Sequence, residues 1–240
     1  MFSMRLKQDG TPNKVYDRIL GYKDKFTSAA AAEELSQASK VTINGAQLEE
    51  NVWIDKNSGQ ERSSFQVSSN FLNDKRDGDK DGATFQLSGV VLNDPVEAEE
   101  KDKNDEPTGR IRIKFGVIGY AGKINVLDLY AQGGAKAHIQ ENWSKGDTVK
   151  VTGKINATHT VETIVEPQGF GDPIEKTRTI SKKELIITGG SQGALEEDLS
   201  YDADSIKKAM ATRRANNEKL KNSSTTANAS PRSKASDFGF

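Results

Sequence analysis

From Val41 onward the chain alternates apolar and polar residues in short runs separated by Gly, Asn and Asp clusters, a texture that predicts an all-β unit. The runs 41–47, 63–72, 84–92, 109–118, 124–131, 148–155 and 160–165 read as strands. The clearest is RIRIKFGVIGY at 110–120: as a strand it sends Ile111, Ile113, Phe115 and Val117 to one face and Arg110, Arg112 and Lys114 to the other. Residues 148–155 repeat the division, with Val149, Val151 and Ile155 opposed to Thr148, Lys150, Thr152 and Lys154. Each strand therefore needs a core on one side and presents polar and cationic side chains on the other.

Helical signal is sparse. The Ala-rich segment 27–37, with Thr27 or Ser28 as N-cap, predicts a short helix in an otherwise polar arm over 1–40. A second short helix is expected at 135–143, ending before a Lys145-Gly146-Asp147 turn. Beyond a further strand at 184–188, ended by a glycine pair, residues 202–221 predict a helix opened by Asp202 or Asp204. Ile206, Ala209, Met210 and Leu220 form its narrow apolar stripe, among Lys207, Lys208, Arg213, Arg214, Lys219 and Lys221. Such a helix either contacts nucleic acid or is a surface helix with cations favoured toward its C-terminus, and the pattern leaves both readings open. The predicted organisation is an arm (1–40), a β domain with added strands (41–193), a basic helix (194–221) and a disordered tail with an aromatic tip (222–240).

Composition narrows the class. Hydrophobic residues are 34% and charged residues 29% of 240, so a core must be concentrated in part of the chain. The absence of cysteine excludes disulfides and thiol or Cys-based zinc chemistry. MFSMRLKQDG is not a signal peptide and no run approaches membrane-spanning length, so a cytoplasmic location is expected. A net charge of −1 argues against a uniformly basic nucleic-acid binder, which leaves the placement of charge to decide what the surface attracts.

Motifs for catalysis are lacking. His138 and His159 belong to no metal spacing or nucleophile–base pair, and GGSQG at 189–193 is followed by no phosphate-loop lysine, so it reads as a turn. The acidic stretches 73–83 and 94–109 lack calcium-loop spacing and carry competing lysines, which makes them solvated loops. No enzyme activity, cofactor or metal is expected. SFQVSSNFLND (64–74) and TFQLSGVVLND (84–94) share several positions, a likeness that convergence of two amphipathic strands explains better than duplication.

The most specific segment is LDLYAQGGAKAHIQENWSKGDTVKVTGKIN (127–156), a strand, a Gly-Gly break, a short helix and a Lys-Gly-Asp turn into an alternating strand. Five short strands with a helix between the third and fourth is the order of an OB-fold barrel. With GVVLNDPVEAE (89–99) and ENWSKGDTVKVTGKI (141–155), residues 84–166 resemble the core of the bacterial and phage single-stranded DNA-binding proteins, here in an elaborated, phage-like form. The resemblance implies a mainly β chain: a five-stranded OB barrel with extra N-terminal strands, a short helix between strands three and four, and a C-terminal helix and tail.

It also implies a function, the coating of single-stranded DNA with little sequence preference during phage-like replication or recombination. Arg110, Arg112, Lys114, Lys150 and Lys154 would track phosphates, while Tyr130 and Tyr120 would stack on bases. Phe115 and Trp143 are assigned to the core, and Trp53, outside the matched region, has an open role with packing favoured. The family's binding strands commonly carry tryptophans, which these lack. The tip ASDFGF resembles the family's partner-docking tail, with Asp237, Phe238 and Phe240 as the contacts for replication or recombination proteins. A homo-oligomer is compatible with the family. The alternative reading is an OB protein-docking module, and a metal-dependent nuclease stands behind it.

Overall fold

The computed structural model describes residues 5–28, 31–43, 45–55, 58–69, 71–119, 122–166 and 174–227. In chain order its elements are α1 (Lys14–Lys25), β1 (Val41–Thr42), β2 (Gln47–Ile54), β3 (Glu61–Ser68), β4 (Asn73–Asp74), β5 (Thr84–Val91), β6 (Glu99–Lys101), β7 (Pro107–Ile118), β8 (Ile124–Ala131), α2 (Gly133–Asn142), β9 (Thr148–Glu166), β10 (Ile174–Gly190) and α3 (Ala203–Ala227). Two compact units divide the chain: one holds 1–51 and 63–81, the other 52–62 and 82–240.

In the first unit, α1 is opened by Asn13, whose side chain accepts the Val15 N–H at 3.1 Å, with Asp17 in the first turn and Lys23 and Lys25 in the last. Tyr22 Oη accepts the Leu72 N–H at 3.1 Å, and the Arg18 guanidinium lies 4.7 Å from the centroid of the Phe71 ring. The helix expected at 27–37 is a correction. Among the described residues of that segment the only helical element is a 3₁₀ turn over Leu35–Gln37, while a helix lies at 14–25, where a side-chain cap and these tertiary contacts hold it. Alanine favours helix, but a segment this short without an apolar face lacks the packing that sustains one. Strands β1 and β4 pair antiparallel over two residues, and β2 pairs with β3, whose connecting segment 52–62 is counted with the second unit, so the added strands make two small sheets separate from the six-stranded one. None of the first unit's described residues is fully buried.

The second unit contains the barrel. Its six-stranded sheet runs β5-β9-β10-β8-β7-β6, and a further pairing of β5 with β7 closes the first five into a ring. In chain order α2 falls between the third and fourth ring strands, β8 and β9, which is the expected OB order. The ring closes where β5 leaves β9 and meets β7 through Val90↔Gly116 and Val91↔Phe115. Close approach there needs glycine: a Cβ on Gly89 would lie 2.5 Å from both the Gly116 carbonyl oxygen and the Phe115 ring.

Period-2 alternation built the core as expected. Ile111, Ile113, Phe115, Leu127, Leu129, Val149, Val151 and Leu185 are all at most 2% exposed. Trp143 closes one side of the barrel, buried, with Nε1 donating to the Ser191 carbonyl at 3.2 Å. Trp53, for which packing was favoured, is instead 42% exposed. Thr148 departs from its strand's polar face. It is buried beneath the returning chain, where its hydroxyl accepts the Tyr201 N–H at 3.0 Å and its carbonyl the Leu195 N–H at 2.8 Å.

Two strands are far longer than their alternation suggested. The expected strands 148–155 and 160–165 are one strand, β9, which pairs with β10 from Val151↔Gly190 to Glu166↔Ile174. Strand β5 pairs with β9 only as far as Lys154, so beyond it β9 and β10 continue as a two-stranded ribbon. The similar sequences 64–74 and 84–94 occupy unlike settings, a two-stranded hairpin and the barrel. The 222–240 tail is described only as far as 227, where α3 ends, and the remainder lies outside the described residues.

Candidate nucleic-acid interface

Residues paired in register on neighbouring strands share a face, so the register locates each outward side chain. Thr84↔Lys154, Lys154↔Ile186, Ile186↔Tyr130 and Tyr130↔Arg112 form one continuous row across β5, β9, β10, β8 and β7. Lys154 and Arg112 are exposed in that row, and Ile186 and Tyr130 are half-buried. On the same face Lys114 pairs with Asp128 one position to one side of this row, and Lys150 pairs with Ser88 two positions to the other side. Five of the residues expected to touch a strand, Arg112, Lys114, Tyr130, Lys150 and Lys154, thus share the outer face of the ring.

The cations of β7 do not stand alone. Arg110 lies in a half-buried ion-pair network: its Nε is 3.2 Å from Glu100 and its Nη2 2.8 Å from Glu184, which Lys182 also reaches at 2.9 Å. The Arg110 guanidinium further stacks 4.5 Å from the centroid of the Tyr130 ring, so at most one face of that ring is left for another group. Arg112 bonds to Asp128. Lys114, Lys150 and Lys154 are exposed and form no ion pair with the described residues. Asn93 braces this edge, accepting the Lys114 N–H at 2.7 Å and donating to the Arg112 carbonyl at 3.0 Å.

These contacts shift the ionisable groups in consistent directions. Burial would raise the Glu184 carboxyl, but the hydrogen bonds from Lys182 and Arg110 hold it below the ordinary carboxylate range. The hydrogen bond to Asp128 raises Arg112, and burial raises the Tyr130 phenol. The face is therefore a mosaic of neutralised arginines around half-buried Tyr130 and Ile186, flanked by lysines that form no ion pair among the described residues.

Tyr120 and the tail residues Asp237, Phe238 and Phe240 lie outside the described residues. Among the described residues no cluster of three or more His, Asp or Glu side chains could hold a metal, and no helix is long and apolar enough to cross a membrane. Sequence reasoning missed the carboxylates. Asp128 was legible, two residues before Tyr130 and so on its face; Glu184 was not, since 74 residues separate it from Arg110.

The YorF family model matches residues 1–223. The chain belongs to the YorF family. No curated protein matches this YorF chain. Among solved structures, it is similar to a mitochondrial single-stranded DNA binding protein from S. cerevisiae, at 11% identity over 47% of this chain and 94% of that one with a TM-score of 0.32. It is also similar to a deletion mutant of the single-stranded DNA binding protein from Thermus aquaticus, at 14% identity over 66% of this chain and 61% of that one with a TM-score of 0.40. A third similarity is to the small single-stranded DNA-binding protein from Streptomyces coelicolor, at 15% identity over 47% and 94% with a TM-score of 0.27. Likeness of this degree carries no argument, and the OB architecture of the YorF chain rests on its own strand order and register.

Proposed function

We propose that this YorF-family chain binds single-stranded DNA with little sequence preference across the outer face of its barrel. One observation carries the reading: Arg112, Tyr130, Ile186 and Lys154 fall in a single transverse row, with Lys114 and Lys150 on the same face and without an ion pair among the described residues. A half-buried aromatic and an aliphatic side chain between cations suit a polymer that alternates flat bases with phosphates. Lys114, Lys150 and Lys154 supply the phosphate contacts, Tyr130 stacks on a base through its one available ring face, and Arg110 orients Tyr130 from the other. Tyr120, between β7 and β8 in the sequence, is the second stacking residue of this reading.

The resemblance of residues 84–166 to bacterial and phage single-stranded DNA-binding proteins supports the same reading and extends it to a setting. The protein coats and protects strands exposed in phage-like replication or recombination, in the cytoplasm, as a homo-oligomer. Asp237, Phe238 and Phe240 dock replication or recombination proteins. The chemistry is binding without catalysis.

The test is fluorescence anisotropy of labelled oligo(dT) titrated with the full chain at several salt concentrations, with unlabelled duplex as competitor. Saturable binding that resists duplex and weakens by about 0.7 log units per contacted phosphate for each tenfold rise in salt supports the proposal. Equal affinity for duplex and single strand, or none for either, would overturn it and favour the protein-docking module.

A further inference from the structure

The two arginines of β7 are held in different ways. Arg110 is pinned by two acids, and its side chain and that of Glu184 are only 19% and 7% exposed. The Arg112 and Asp128 side chains are 49% and 29% exposed, and Asp128 is the acid bonded to Arg112. Asp128 also stands directly across from Lys114 in the register and two residues before Tyr130 on its own strand. This one carboxylate therefore sits in the middle of the cationic half of the face. A solvent-exposed pair contributes little and opens readily, whereas a half-buried network leaves uncompensated charge if broken. A phosphate offers guanidinium the same forked acceptor geometry that a carboxylate does.

From this difference we infer that Asp128 is an exchangeable counter-ion of Arg112, displaced by a phosphate of bound single-stranded DNA, and that it limits how tightly the strand is held. The inference rests on the outer face being the single-strand site. Its physical consequence lies in the ion balance. When the strand arrives, Arg112 passes from Asp128 to phosphate, the phosphate sheds its condensed cation, and the freed Asp128 takes up a cation from solution. One released ion is thereby cancelled, so binding is weaker and less salt-dependent than the number of cations on the face implies. Arg110 does not exchange, because two acids and the Tyr130 ring hold it.

The experiment measures oligo(dT) affinity and its salt slope by anisotropy for the full-length wild type, D128N, R112Q and the double variant, with thermal denaturation confirming that each is folded. D128S serves beside D128N should the amide disturb the strand. We expect D128N to bind about fivefold tighter near 0.1 M salt, with a slope steeper by about 0.7. Adding D128N to R112Q should gain nothing. Unchanged affinity and slope in D128N would overturn the inference, as would an equal gain in the R112Q background, which would reduce Asp128 to general repulsion of the strand. Failure of the wild type itself to bind single strands overturns the function on which the inference rests, and that outcome is distinguished by its appearance in every variant.

Discussion

The buried side-chain amide of Asn217 on α3 donates to the Glu61 carboxylate, 2.8 Å away at the start of β3. Lys221 approaches the same carboxylate at 3.5 Å and Arg213 at 4.0 Å, so Glu61 gathers three side chains from successive turns of one helix face. Asp202 caps the helix by accepting the Ser205 N–H at 2.8 Å, and Tyr201 Oη ties its entry to the barrel through the Ile118 carbonyl at 3.2 Å. Between these anchors, buried Ala209 and half-buried Ile206 and Met210 face inward. The basic character of the helix is thus partly structural, since two of its cations are directed at Glu61. Replacing Glu61 with Ala should cost about 1–3 kcal/mol locally. Amide hydrogen exchange in 210–222 should accelerate while exchange in β8 stays unchanged.

Glu184 carries the clearest pH dependence. Its folded pKa lies below the ordinary value of 4.5, so the fold prefers the ionised form. The associated stability is complete above that ordinary range and is lost as pH falls through the depressed folded value. E184Q should be less stable than wild type at neutral pH by about 1–3 kcal/mol, below the full cost of breaking a buried pair because Arg110 keeps Glu100. The melting temperatures of the two proteins, followed downward from pH 7, should converge once the pH has fallen below the ordinary carboxylate range. A constant separation would mean that the residue acts through packing.

Legibility of this fold in sequence tracked how each segment is buried. Strands β5, β7 and β8 were read within a few residues because each packs one face on the core, so burial imprints a period of two. The outer parts of β9 and β10 carry no such period in their sequence. Stretches such as EKTRTISKK are rich in Thr and charge, and β10 was recognised only at 184–188, where Leu185 and Ile187 enter the barrel. The outward set of β7 was equally legible, but its electrostatic state was so only in part. Asp128 shares a strand face with Tyr130 and could have been placed beside Arg112, but Glu184 reaches Arg110 across 74 residues, and a pairing of that span leaves no local pattern. Helix α1 was overlooked for a related reason: its contacts are to Phe71 and Leu72, about fifty residues away, and it has no fully buried residue of its own.

Ring closure makes Gly89 a sensitive position. Any β-carbon there would press on the Gly116 carbonyl and the Phe115 ring, and neither is the loose end of a flexible chain. Gly89→Ala should therefore destabilise the protein by about 1–3 kcal/mol through overpacking. Urea denaturation should give a lower midpoint with an unchanged m-value. The same change at Gly134, which has open space around it, should be nearly neutral and serves as the control.

On the binding face, substitutions should separate charge from stacking. Lys114, Lys150 and Lys154 carry charge without an ion-pair partner among the described residues, so each change to alanine should weaken oligo(dT) binding and make the salt slope shallower by about 0.7, with the melting temperature unchanged. Tyr130 tests the other component. Y130F keeps the ring and should bind nearly as the wild type does, whereas Y130A should lose about 1–3 kcal/mol of affinity with the salt slope preserved. R110A belongs to neither group. It removes the cation over the Tyr130 ring and strips a partner from buried Glu184, so it should lower stability first and affinity only through the loosened ring. A slope change in R110A matching that of the lysine variants would show that Arg110 reaches phosphate directly and that its two acids yield to the strand.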